Sequence, residues 1–125
     1  YSGMKHLLDS GEINKVPTLI GVQAKAISPL CSAINGENYD PENRETTIAD
    51  ALVSKKPVLI DRMIQILKET GKCVSVTDDE IVSARNDLAL KGVFCEYSSA
   101  TVYAAYKKKK YENSLLIITG NGLKN

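Results

Sequence analysis

Four short polar groups follow apolar runs in this chain, and they are where its residues could do chemistry: Gln23-Ala24, Thr77, Glu96-Tyr97-Ser98 and Thr119-Gly120-Asn121. In an open parallel sheet the ligand crevice lies beyond the carboxyl ends of the strands, so residues that leave strands are the first candidates. The last group is the most suggestive. Thr119 and Asn121 offer a hydroxyl and an amide, and Gly120 and Gly122 let backbone and short polar groups come close to a ligand. On composition alone the same residues are an ordinary polar turn. Glu96 lies between a strand and a helix start, where a carboxylate serves as a site acid or as a favourable charge at the helix N-terminus, and position alone favours the second. No GxGxxG or Walker pattern is present to cradle a phosphate, so the residues by themselves lead only as far as an α/β domain.

The elements that must position these groups alternate in type. Residues 1–10 read as the tail of a helix stopped by Ser10-Gly11. The run PTLIGVQA (17–24) lacks clean alternation, which suits a strand covered on both faces. Ser28-Pro29 offers a cap followed by proline at the first helical position. Residues 35–44 are a polar loop, and 46–54 a short helix. Ile60, Met63, Ile64 and Leu67 mark an amphipathic helix that ends near Gly71.

A strand over 73–76 then leads to a capping box, Thr77-Asp78-Asp79-Glu80, with Ile81, Ala84 and Leu88 as the buried stripe of its helix. A short strand over 93–95 precedes a helix capped by Ser98 or Ser99, with Val102, Tyr103 and Tyr106 as its apolar face. Leu115 to Ile118 reads as a last strand. This order predicts an α/β structure of about four strands, three-layer αβα with a mostly parallel sheet.

Composition narrows the function classes. Sixteen basic and fifteen acidic side chains give a net charge of +1 with no one-signed face, so neither nucleic acid nor a membrane surface is an expected partner. Lys107 to Lys110 read as a solvated helix end that compensates the dipole. Cys31, Cys73 and Cys95 are odd in number and widely spaced, with His6 the only imidazole. A metal site, a disulfide framework or a nucleophilic cysteine is therefore not expected; packing cysteines in a reducing cytoplasm are. No apolar run approaches a membrane helix.

Taken together, the motifs resemble one family. ITGNGLKN (118–125) resembles the TGHGLKD terminus of threonine synthases, and IGVQA with Ser28-Pro29 resembles their IGVQAEGASP stretch. TIADAL (47–52) is similar to their ETIATAI or TIADGI segment, and EYSSA (96–100) stands in the place of EPASA. The order and spacing agree over essentially the whole chain.

That resemblance implies the C-terminal part of the large cofactor-binding domain of a tryptophan synthase β-like fold, in a two-domain pyridoxal-phosphate enzyme, a lyase of amino-acid biosynthesis that converts O-phosphohomoserine and water to threonine and phosphate. It implies that the Thr119 hydroxyl faces the pyridine nitrogen of the cofactor, and that Gly120, Asn121, Glu96 and Ser98 border the pocket. The family's cofactor lysine, in an SFKD-like motif, and its GNxGN-type phosphate loop are both absent from these residues. Tyr1-Ser2-Gly3-Met4 resembles the helix after that loop. The expectation is thus a fragment that starts inside a longer enzyme, inactive alone, with no catalytic residue of its own.

Its partners would be a small amino-acid substrate, the N-terminal portion of the enzyme and, for the complete enzyme, a second copy in a homodimer. Lys25 and Ala26 replace an acidic residue and glycine, Tyr97 replaces proline, and Asn121 replaces histidine. The rivals are a fragment of a serine or threonine dehydratase, which shares TIAD but ends in an SGGN-like sequence, and a non-catalytic α/β binding domain.

Overall fold

The computed structural model describes residues 1–124; Asn125, the last residue of the ITGNGLKN terminus, lies outside them. Helix α1 (Ser2–Asp9) is followed by strand β1 (Leu19–Ala24), helix α2 (Pro29–Asn35), helix α3 (Ile60–Thr70), strand β2 (Gly71–Val76), helix α4 (Asp78–Leu90) and helix α5 (Tyr97–Lys109). Short 3₁₀ turns occupy Asp50–Leu52 and Gly122–Lys124.

β1 and β2 pair in parallel, with Gly21 opposite Cys73 and Ala24 opposite Val76. Side chains alternate across a strand, so the two faces can be read off this register. Ile20, Val22, Ala24, Val74 and Val76 pack with Ile81, Ala84, Ala100 and Ala104 of α4 and α5. Leu19 and Cys73 pack with Leu30, Cys31, Ile64 and Leu67 of α2 and α3. Helices therefore cover both faces, and the layers are αβα around a parallel sheet, as expected.

α4 starts at the capping box, with the Thr77 hydroxyl accepting from the Glu80 N–H at 3.3 Å and the Glu80 carboxylate from the Thr77 N–H at 2.8 Å. The loop over 36–44 contains no regular element, and its Glu42 pairs with Lys56 at 2.7 Å. Lys107 and Lys108, in the last turn of α5, pair with Asp87 and Glu80 of α4.

Five expectations are corrected. The sheet has two strands, not about four: residues 115–118 have no strand partner, and Leu115 is 85 % exposed. An extended run becomes a strand only through a neighbour's backbone groups, and among the described residues none is available to it. Residues 93–95 contribute only an isolated antiparallel bridge, Cys95 with Asn121.

The helix expected over 46–54 shrinks to the 3₁₀ turn because side chains claim its amides: Asp78 accepts from Ile48 N at 3.0 Å, Thr47 from Ala49 N at 3.2 Å, and Ser98 from Ala51 N at 3.1 Å. α5 begins two or three residues early, with Glu96 as N-cap, so Ser98 and Ser99 lie inside its first turn. Its buried face is Ala100, Thr101, Ala104 and Ala105, small residues that let α4 and the sheet approach, while Tyr106 is exposed. Finally, Cys31 and Cys73 form a disulfide, and only Cys95 is a free, buried thiol. Each of the pair sits in a different element, and Gly21 opposite Cys73 leaves room for its sulfur.

Candidate functional site

Two of the four polar groups prove to be helix caps. Gln23 Oε1 accepts from Leu30 N at 2.9 Å and Cys31 N at 3.0 Å, filling amides at the start of α2 that the Ser28 side chain does not reach. Thr77 is committed to the capping box of α4. The other two groups meet at the N-terminus of α5.

There the segment Phe94–Glu96 runs against Gly120–Gly122. Glu96 N donates to Gly120 O at 3.2 Å, and Gly122 N to Phe94 O at 3.0 Å. Both glycines are required by contact, not by backbone conformation, since neither has a positive φ. A Cβ on Gly120 would lie 1.8 Å from Glu96 Oε1, and one on Gly122 2.8 Å from Cys95 O and from the Phe94 ring. The half-buried Glu96 carboxylate therefore lies directly over the Gly120 backbone.

Ser99 is the hub of this arrangement, and sequence reasoning gave it only a capping role. Its hydroxyl, on a residue 4 % exposed, accepts from Gly120 N at 2.8 Å and Thr119 N at 3.3 Å. It also lies 3.1 Å from Thr119 Oγ1 and 3.4 Å from Glu96 Oε1. Thr119 itself is exposed, so a buried serine holds an open hydroxyl in place.

Ser98, one helical step away, faces elsewhere. It accepts from Ala51 N and lies 3.4 Å from Asp50 Oδ1, tying the TIADAL segment to the same helix end. Asp78 holds that segment from the other side, accepting from Thr47 Oγ1 at 2.5 Å. Asn121 turns its side-chain carbonyl to Leu123 N at 2.8 Å and so closes the terminal turn. The structure thus brings Glu96, Thr119 and Gly120 together, places Ser98 beside the TIADAL turn, and gives the Asn121 side chain a local hydrogen bond.

Arg85 of α4 braces the segment from behind. Its guanidinium stacks between the Phe94 and Tyr97 rings, at 4.4 and 4.6 Å, and its Nε donates to Cys95 O at 3.1 Å. Two aromatic residues flanking Cys95-Glu96, with an arginine on the preceding helix α4, are the signal in the sequence for this clamp. Burial pushes the Cys95 thiol above its ordinary value, so it is no activated nucleophile. In chemical terms the site offers an exposed hydroxyl, a carboxylate and a close backbone approach.

Residues 1–120 match the family model described as pyridoxal-phosphate dependent enzyme. The threonine synthase of Methanocaldococcus jannaschii is 33 % identical over 99 % of this chain and 33 % of its own length. That of Synechocystis is 31 % identical over 99 % and 33 % respectively. The chain spans about one third of the length of these relatives.

Among solved structures, serine racemase from Dictyostelium discoideum superposes with a TM-score of 0.65 at 25 % identity, covering 93 % of this chain and 38 % of that one. A threonine deaminase from T.th. gives 0.65 at 19 % identity, covering 86 % and 36 %, a likeness of fold.

Proposed function

We propose, from the premise that this chain belongs to the pyridoxal-phosphate dependent enzyme family, that it is the C-terminal part of a threonine synthase, whose complete form converts O-phosphohomoserine and water to threonine and phosphate. The observation that carries this reading is the terminal TGNGLKN loop, with the exposed Thr119 hydroxyl held by buried Ser99, in a chain aligned almost end to end with threonine synthases.

The residues fit one edge of the cofactor. Thr119 would offer its exposed hydroxyl to the ring nitrogen, and Gly120, with no Cβ, lets the Glu96 carboxylate pack over the loop beside it. When bound, pyridoxal phosphate supplies an electron sink for negative charge on substrate carbons. The chain's own residues would then bind and orient. Thr119 hydrogen-bonds the ring edge, Glu96 and its backbone N–H fix the loop, and Ser98 with Asp78 holds the TIADAL turn beside it.

A second reading, a fragment of a serine or threonine dehydratase-type enzyme that eliminates water, draws on the TIAD segment, which resembles theirs. Its termini resemble SGGN, which this chain lacks.

The remaining two thirds of such an enzyme would supply the lysine and the phosphate loop, and the complete enzyme would work as a homodimer. Val58, Leu59, Leu90, Leu115 and Ile117 are exposed apolar side chains that further polypeptide would cover. No helix among the described residues is long and apolar enough to cross a membrane. A cytoplasmic location goes with the biosynthetic role. The Cys31–Cys73 bond weighs the other way, because cytosolic thiols are mostly kept reduced.

The test is to assay phosphate release from O-phosphohomoserine, with added cofactor, by the 125-residue chain alone and by the chain mixed with the remainder of the enzyme. The chain alone releases none, and the mixture does. Turnover by the chain alone, abolished by replacing one of its lysines, would overturn the fragment reading.

A further inference from the structure

A serine hydroxyl has one proton to give and two lone pairs to accept with. At Ser99 both lone pairs are taken, by Gly120 N at 2.8 Å and Thr119 N at 3.3 Å. The proton of Ser99 then has two oxygens in reach, Thr119 Oγ1 at 3.1 Å and Glu96 Oε1 at 3.4 Å. Whichever it takes, Thr119 cannot donate to Ser99, because no lone pair remains there. Thr119 has no other hydrogen-bond partner among the described residues, and its side chain is exposed. Its proton is therefore free to point outward.

We infer that Ser99 is a positioning residue that makes Thr119 a hydrogen-bond donor toward the bound ligand, by filling its own acceptor sites with the Thr119 and Gly120 amides. The inference rests on the proposed contact between Thr119 and the cofactor ring. It goes further in assigning to a buried residue, outside the set that borders the pocket, both the direction of that hydrogen bond and the fixed height of the loop. Glu96 completes the hub. Its carboxylate accepts only, so it cannot restore a lone pair to Ser99 and cannot reverse the polarity of the pair.

Ser99 acts through Thr119, so the two side chains are not independent. The experiment uses the complete enzyme that carries this chain and compares Ser99→Ala, Thr119→Val and the double variant. It reads cofactor affinity, the absorbance spectrum of the bound cofactor, and hydrogen exchange at the Thr119 and Gly120 amides.

Each single variant weakens cofactor binding roughly 2- to 12-fold, the range of one net hydrogen bond, and shifts the spectrum. The double variant is no weaker than Thr119→Val. In Ser99→Ala the two amides also exchange faster, and Ser99→Thr, which keeps the hydroxyl, restores affinity and spectrum. Should Ser99→Ala fail to fold, Ser99→Cys, with a weaker acceptor of similar size, is read the same way.

A parent-like spectrum and affinity in Ser99→Ala, alongside a clear loss in Thr119→Val, would overturn the role of Ser99 and leave the Thr119 contact standing. Fully multiplicative losses in the double variant would also overturn it, since Ser99 would then act apart from Thr119. A silent Thr119→Val would remove the cofactor contact itself, and the inference with it.

Discussion

Replacing Gly120 with alanine places a methyl carbon 1.8 Å from Glu96 Oε1, 2.0 Å from Cδ and 2.6 Å from Cγ. Gly120 has no left-handed backbone angle, so alanine brings no conformational strain and the whole effect is this collision. Glu96 must swing away from the loop and from Ser99. Overpacking of this kind costs about 1–3 kcal/mol.

The assay is equilibrium urea denaturation of Gly120→Ala in two backgrounds, parent and Glu96→Ala. In the parent the substitution costs about 1–3 kcal/mol, and with Glu96 shortened it costs less than about 0.5, a coupling typical of residues in direct contact. Gly122→Ala is the control. Its methyl would lie 2.8 Å from Cys95 O, a backbone atom, so its cost persists in both backgrounds. Equal costs of Gly120→Ala in the two backgrounds would refute the packing of Glu96 over the loop.

Reduction, or Cys31→Ser, removes a link between residues 42 apart, and loop-closure entropy for that separation gives about 4 kcal/mol; a denaturation midpoint insensitive to reductant, or free thiols at Cys31 and Cys73 in the isolated protein, would contradict the bond. Thr77→Ala breaks the capping box of α4 and costs about 0.5–2 kcal/mol of stability. Burial would raise the Glu80 carboxyl, but the Thr77 N–H and Lys108 outweigh it and hold it below its ordinary value of 4.5. A carboxyl depressed on folding stabilises above its unfolded value and loses that contribution as pH falls through the folded one. Stability therefore declines below about pH 4.5, and Glu80→Gln flattens this decline; an unchanged acid profile in Glu80→Gln would count against the cap.

What the sequence made legible was local chemistry. Thr77 and Glu80 announce their capping box by spacing alone, and Ile81, Ala84 and Leu88 fall on the buried stripe of α4 as the helical period requires. Glu96 and Thr119-Gly120 were marked by their places after apolar runs, and the structure brings them together. Relations across the chain were not legible. Ser98 and Ser99 are chemically identical neighbours, and only the phase of α5, set by Glu96 as N-cap, turns one toward Asp50 and the other toward Thr119.

Leu115 to Ile118 has the composition of a strand, but pairing depends on a neighbour that its own residues do not specify. Cys31 and Cys73 carry no spacing signal, because their approach follows from the parallel register of β1 with β2 and the packing of α2 across it.

The most direct test of the central claim is a substrate comparison on the complete enzyme that carries this chain, loaded with pyridoxal phosphate. Given O-phosphohomoserine, serine and threonine in parallel, it should release inorganic phosphate with an equal amount of threonine from the first, and little ammonia or 2-oxo acid from the other two. Ammonia and 2-oxo acid from serine or threonine, or racemised serine, with no phosphate released from O-phosphohomoserine, would contradict the threonine synthase reading.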